Sequence, residues 1–119
     1  HSEYEFAQHI ILGRRAGLTD AEIERIQIGS DAIEWTPEDA DLLRAVDELH
    51  MNAFIQDTTW ERLSRRFDTA QMMDLVFVIG CYGILSWAFN TFGMQLERTA
   101  VPLDSKTQAR MFASPVRCL

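Results

Sequence analysis

A long apolar run between residues 72 and 92 constrains the fold of this sequence more than any other feature. Asp68 and Gln71 form a capping pair before the run and Gly93 follows it, so the sequence predicts one long helix. Large apolar side chains fall on nearly every side of that helix: Leu75, Val76, Phe77, Val78, Ile79, Tyr82, Ile84, Leu85, Trp87 and Phe89. A helix that is apolar all round has to be covered all round. A chain of 119 residues holds too few other helices for this, which predicts a subunit interface.

The length of the run argues against a membrane span. Its most apolar part, residues 75–89, has about 15 residues, whereas a span needs about 20, and Asp74 precedes it directly. We therefore expect a buried helix, with Cys81 as a buried thiol. Cys81 and Cys118 lie far apart, which excludes a CxxC redox pair and favours a reducing, cytoplasmic compartment.

Charge and histidine spacing limit the partners that we expect. The formal net charge of −7 repels phosphate backbones and anionic lipid, so neither nucleic acid nor a membrane is an expected partner. The three histidines are far apart in sequence and none forms an HxxxH pair, so we expect no metal site. No glycine-rich phosphate loop and no nucleophile elbow occurs. The partners that we still expect are a small-molecule substrate and further copies of the same chain.

Start and stop signals divide the first half of the chain into shorter helices. The first helix is predicted over residues 3–16, with Gly17 as its stop. Thr19 and Glu22 form a capping box that begins the second helix. Pro37 stands at the first position of a third helix. This pattern contains no strand alternation and predicts an all-α fold.

The boundaries of the remaining segments complete the predicted organisation. A fourth helix is expected over residues 59–66, with Asp57 or Thr58 as its cap. We predict one helical domain over residues 1–96. Residues 97–119 contain prolines and only weak periodicity, so we expect an extended C-terminal tail that packs on the domain or on a neighbouring subunit.

Glu5 and His9 form the candidate active centre. They lie four residues apart on the first predicted helix and therefore share a face, which Leu12 and Ala16 continue. Because that stripe is otherwise apolar, we expect the pair to point into a pocket or an interface. A carboxylate that orients an imidazole in a partly dry site can move a proton near neutral pH. The spacing alone also fits an ordinary helix-stabilising pair.

Three further side chains are candidates for substrate binding. His50 falls four residues after Val46 on an apolar helix face, where it can line the same pocket or be a core histidine with a local hydrogen-bond partner. Tyr4 and Tyr82 can donate hydrogen bonds to a ligand, although aromatic side chains at helical spacing often belong to the core.

Several segments, taken in order, resemble the carboxymuconolactone decarboxylase family and the related alkylhydroperoxidase D-like (AhpD-like) proteins. They are residues 2–9 (SEYEFAQH) followed by Gly17-Leu18-Thr19, residues 43–50 (LRAVDELH), Thr59-Trp60 with Arg66-Phe67, and the stretch from Gly80-Cys81-Tyr82 to Asn90. The resemblance covers roughly residues 2 to 96. It implies an AhpD-like helical domain that assembles as a trimer or hexamer. Family members carry one or more helices before this signature, so we expect such helices, a neighbouring subunit or a separate chain to supply that wall of the pocket.

The resemblance also implies a chemistry. In the peroxidase branch the two redox cysteines fall at Ser2 and Glu5, so disulfide-based peroxide reduction is not expected here. In the decarboxylase branch Glu5 and His9 match the family positions, and the reaction needs neither a metal nor an organic cofactor. It implies a lyase or isomerase acting on a small carboxylated, lactone-like or aromatic-derived metabolite, with His9 as proton donor and Glu5 orienting it. A non-catalytic oligomeric accessory protein is the alternative.

Overall fold

In the computed structural model the described residues are 2–96 and 104–113, without the side chains of 110–113. They form six helices: α1 (Glu3–Arg15), α2 (Asp20–Ile28), α3 (Pro37–Asn52), α4 (Asp57–Leu63), α5 (Thr69–Thr91) and α6 (Ser105–Ala113). No strand occurs among these residues, so the all-α class is confirmed. The chain divides into two compact units. Of the described residues, unit 1 holds 2–27, 83–96 and 104–113, and unit 2 holds Ile28–Tyr82.

The helix boundaries of unit 1 follow the local signals in the sequence. The main-chain N–H of Thr19 donates to Glu22 Oε2 at 2.7 Å, and the N–H of Glu22 donates to Thr19 Oγ1 at 3.3 Å, which is the predicted capping box. Gly17 follows α1 with a φ of 102°, a conformation that suits glycine. Arg14 Nε donates to Asp20 Oδ1 at 2.8 Å and so joins the end of α1 to the start of α2.

The start of α4 differs from the prediction. The helix runs from Asp57 to Leu63, and neither predicted cap satisfies its first N–H groups. The N–H of Gln56 instead donates to Glu48 Oε2 at 2.8 Å, and Thr59 Oγ1 donates to Glu48 Oε1 at 2.7 Å. Both oxygens of this buried carboxylate therefore accept a hydrogen bond. A side chain from α3 therefore holds the start of α4 through the N–H of Gln56 and the hydroxyl of Thr59, where a local cap was expected.

Unit 2 combines an apolar core with ion pairs between one buried carboxylate and two partly exposed arginines. The core residues are Ala45, Ile55, Leu63 and Met72, with Leu42, Leu49, Phe67, Leu75 and Val76 packed against them. Asp41 is buried and accepts from Arg62 Nε at 2.8 and 2.9 Å and from Arg44 at 2.8 Å. These contacts tie α4 to α3. Hydrogen bonding to Asp41 raises the pKa of Arg62.

Helix α5 is longer and far more exposed than predicted. It has 23 residues, and its most apolar 18-residue window has a mean hydropathy of 1.7, so by length and composition it could cross a membrane. The argument from insufficient length is therefore wrong. Only 11% of that window is buried in the chain, so the prediction of a buried helix is wrong for a single copy. Cys81 is exposed, contrary to the expected buried thiol.

The end of the described chain is helical rather than extended. Residues 105–113 form α6, and Asp104 caps it by accepting from the N–H of Thr107 at 2.9 Å and from Thr107 Oγ1 at 2.7 Å. These hydrogen bonds lower the pKa of Asp104. Gln108 Nε2 donates to Glu3 Oε1 at 2.5 Å, which joins α6 to α1 in unit 1. The remaining parts of the predicted tail, 97–103 and 114–119, lie outside the described residues, and the domain division at residue 96 stays a prediction.

Candidate functional site

Glu5 is the buried polar residue at the centre of the candidate site. It lies in the first turn of α1 with only 9% of its surface exposed. Ser86 Oγ, on α5, donates a short hydrogen bond to Glu5 Oε2. The other carboxylate oxygen, Oε1, is also out of contact with solvent, and no residue in the described ranges donates a hydrogen bond to it. A buried carboxylate oxygen without a donor is rare and is a reason to look for chemistry.

Aromatic packing holds this turn of α1 against α5. The rings of Tyr4 and Phe89 meet edge to face, with centroids 5.3 Å apart and planes at 72°. Ser86 and Phe89 lie three residues apart on α5 and therefore share a face, just as Tyr4 and Glu5 are neighbours on α1. One pair of helical turns thus supplies both the apolar contact and the polar contact. The predicted ligand-binding residue Tyr4 has a packing role here.

The ring of His9 is fixed by the main chain of Glu5. His9 is half-buried, and its Nδ1 lies 2.8 Å from the Glu5 carbonyl oxygen. Because a carbonyl can only accept, Nδ1 carries a proton in this arrangement, and the lone pair of the neutral ring is on Nε2. The sequence predicts that the Glu5 carboxylate orients the ring. In the structure the hydrogen bond that joins the two residues uses the carbonyl, while the carboxylate accepts from Ser86.

The predicted apolar stripe on α1 is buried only at its beginning. Glu5 is buried and His9 half-buried, whereas Leu12 is 51% exposed and Ala16 is exposed. Within the described residues the stripe is therefore buried over its first turn and exposed beyond it.

The other two predicted binding residues belong to unit 2. His50 is exposed in the last turn of α3. Tyr82 is 45% exposed on α5. The structure joins Tyr4, Glu5 and His9 in unit 1, and the roles of His50 and Tyr82 stay predictions.

Ser86 is the site residue that the sequence analysis missed. It is the only serine within α5, and a small polar side chain among large apolar ones is the signal that could have found it. Its partner lies 81 residues away in sequence, so no local pattern joins the two. Among the described residues, no group of three or more His, Cys, Asp or Glu side chains could hold a metal ion.

Comparisons with known proteins found no matching family model, no matching curated protein and no matching solved structure. The family resemblance therefore rests on the segments quoted above. The role of the site rests on the geometry of Glu5, His9 and Ser86.

Proposed function

We propose that this chain is a cofactor-independent acid/base enzyme of the decarboxylase (lyase) or isomerase type. Its substrate would be a small carboxylated, lactone-like or aromatic-derived metabolite, handled in the cytoplasm. One observation carries the proposal: a buried carboxylate and a half-buried imidazole with a defined proton position lie on adjacent turns of α1. The ordered resemblance to the carboxymuconolactone decarboxylases supports the same chemistry.

The proton position on His9 fits the role of proton donor. When a carboxylated unsaturated lactone loses carbon dioxide, the C–C bond breaks and its electron pair spreads over the conjugated system. A positioned acid then protonates one carbon of that system. Imidazolium His9 can give its Nε2 proton and keep its Nδ1 proton on the Glu5 carbonyl. The neutral ring left behind is the tautomer that the hydrogen bond requires, so no ring rotation is needed.

Glu5 would act through charge and position. Its carboxylate lies one turn of α1 before His9 in sequence, and the Ser86 hydrogen bond fixes the direction of the side chain. A buried acceptor without a hydrogen bond lowers the stability of the fold by about 1–3 kcal/mol. A ligand that donates a hydrogen bond to Glu5 Oε1 would therefore bind favourably there. The same negative charge repels the carboxylate of a substrate, which would therefore bind facing away from Glu5. Tyr4, in the same unit as Glu5 and His9, is the proposed substrate-binding residue, and the binding roles of His50 and Tyr82 stay predictions.

An assay of turnover on a carboxylated unsaturated γ-lactone, with carbon dioxide release as the measured signal, tests the proposal. Glu5→Gln and His9→Ala should each lower turnover at least about tenfold while circular dichroism shows unchanged helicity. Gln8→Ala is the matched control, since Gln8 is a half-buried polar neighbour on α1 outside the pair. Wild-type rates in both site variants would refute the assignment. No turnover by the wild-type chain on a series of such lactones would favour the non-catalytic alternative.

The uncovered surface of α5 supports an oligomeric assembly, which the alternative function, an accessory protein without catalysis, also requires. Large apolar side chains on α5 are 42–67% exposed in the single chain: Met73, Phe77, Val78, Tyr82, Ile84, Leu85 and Trp87. Patches of this kind mark interaction sites. We propose that further copies of the chain cover α5, in a trimer or hexamer. Self-association is compatible with catalysis, so this proposal concerns assembly under either function.

The contacts along α5 favour another copy over lipid as the cover. Met72 near its start belongs to the core of unit 2, and Ser86 near its end contacts Glu5 on α1. Helix α1 also carries Arg14 and Arg15. A membrane span made of α5 would draw such charged helices toward hydrocarbon, which is costly for ionised side chains.

Light scattering at micromolar concentration tests the assembly, and we expect a mass of at least three chains. Phe77→Glu places a charge on the exposed part of α5 and should lower the mass to that of a single chain. Ile33→Glu, at an exposed position between α2 and α3, is the matched control and should leave the assembly intact. A monomeric wild type, or binding of the wild type to neutral phosphatidylcholine vesicles instead of self-association, would refute the proposal.

A further inference from the structure

A cleft in unit 2 lies where the start of α3 meets the end of α4. Its volume is about 470 Å³, within the usual range of small-molecule sites. Seven residues line it: Pro37, Glu38, Asp41, Arg62, Leu63, Arg65 and Arg66. Three of the seven are arginines, although the chain as a whole carries a net charge of −7. The cleft therefore concentrates positive charge on an acidic protein.

The acid in the wall of the cleft neutralises only part of this charge. The carboxylate of Asp41 accepts from both Arg62 and Arg44, and the buried Glu48 carboxylate also attracts Arg62. The two hydrogen bonds from Arg62 Nε, at 2.8 and 2.9 Å, hold that side chain against Asp41. Glu38 is the other acid of the lining and opposes the binding of an anion.

Arg65 and Arg66 carry the charge that a ligand can use. Both are exposed, and within the described part of the chain neither forms an ion pair. The guanidinium of Arg66 lies 5.0 Å from the centroid of the Phe67 ring, a contact that restricts the side chain without neutralising it. A planar guanidinium can pair with a carboxylate or a phosphate through two parallel hydrogen bonds.

We propose that this cleft binds the carboxylate or phosphate group of a small molecule. Arg65 and Arg66 contact the anion, and the Asp41–Arg62 pair forms a fixed wall beside it. The first turn of α3 contributes Pro37 and Glu38 to the lining, and the positive end of the helix dipole adds to the attraction that Glu38 reduces. The site is independent of the Glu5 and His9 chemistry.

Titration of the whole chain with inorganic phosphate and with malonate, followed by NMR of the arginine Nε–H signals, tests this proposal. Arg65→Gln and Arg66→Gln should each weaken binding about three- to fivefold, as expected for one exposed charged contact. Glu38→Gln should tighten binding. Arg15→Gln and Glu24→Gln make the same charge changes at exposed positions of unit 1 and should leave the affinity within about twofold of the wild type.

A saturable shift with phosphate, malonate or both, lost in the cleft variants, would support the proposal and show which group the cleft prefers. Equal weakening by Arg15→Gln and Arg65→Gln would mean diffuse attraction and would overturn it. The proposal would also fail if neither anion gave a saturable shift in the wild type. Circular dichroism of each variant separates lost binding from lost structure.

Discussion

Replacing Thr59 by valine removes one of the two hydrogen bonds that the buried Glu48 carboxylate accepts at the start of α4. Thr59 has no exposed surface, and its Oγ1 donates to Glu48 Oε1 at 2.7 Å. Valine has nearly the same shape, so the substitution leaves no cavity and changes only the polar contact. It leaves one oxygen of a buried charge without its donor. Hydrogen bonds to charged groups contribute about 1.5–3 kcal/mol, and we expect Thr59→Val to lower the free energy of unfolding by about 2–3 kcal/mol.

Urea denaturation followed by circular dichroism measures this loss, and a thermal scan should show a melting temperature lower by about 8–12 °C for a chain of this size. Thr58→Val is the matched control. Thr58 is the exposed neighbour on α4, so its substitution should change the free energy of unfolding by less than about 0.5 kcal/mol. Equal effects of the two substitutions would refute the view that Glu48 anchors the start of α4.

Two further predictions concern protonation. ¹⁵N NMR of the histidine rings should find His9 as the Nδ1–H tautomer when neutral, because the Glu5 carbonyl accepts from that atom; a dominant Nε2–H form would contradict the described hydrogen bond. Hydrogen bonds from the side chain and main chain of Thr19 lower the pKa of Glu22 from its ordinary value of 4.5. Ionised Glu22 therefore stabilises the fold at pH values above 4.5. This contribution is lost as the pH falls through the lower pKa of the folded state. An NMR titration of Glu22 should show the lower midpoint, and Thr19→Val should move it back toward 4.5.

The helix ends that depend on near neighbours could be predicted from the sequence. Thr36 caps α3 by accepting from the N–H of Asp39 at 3.1 Å, and Asp68 and Gln71 cap α5 through two hydrogen bonds of 2.9 Å. Each of these caps joins residues three apart, so the spacing alone carries the information. The class of fold follows from the same signals.

The contacts that define the candidate site could not be predicted in this way. Glu48 binds Gln56 and Thr59 at the start of α4 from another helix, and Ser86 contacts Glu5, which lies 81 residues away in sequence. Such partners are chosen by tertiary packing, which one sequence does not specify. The exposure of Cys81 was missed for a related reason, because hydrophobicity shows that a helix needs cover without showing whether its own chain supplies it.

The exposed apolar side chains of α5 also govern how the stability of this protein should be reported. When other copies of a chain cover such a surface, dilution dissociates them. The apparent free energy of unfolding then decreases as the protein concentration is lowered, by mass action. A melting temperature for this chain would then have a meaning only together with the concentration at which it was measured. Variants such as Thr59→Val and Thr58→Val should therefore be compared at one fixed concentration, and a dilution series of the wild type would measure how strongly folding and assembly are linked.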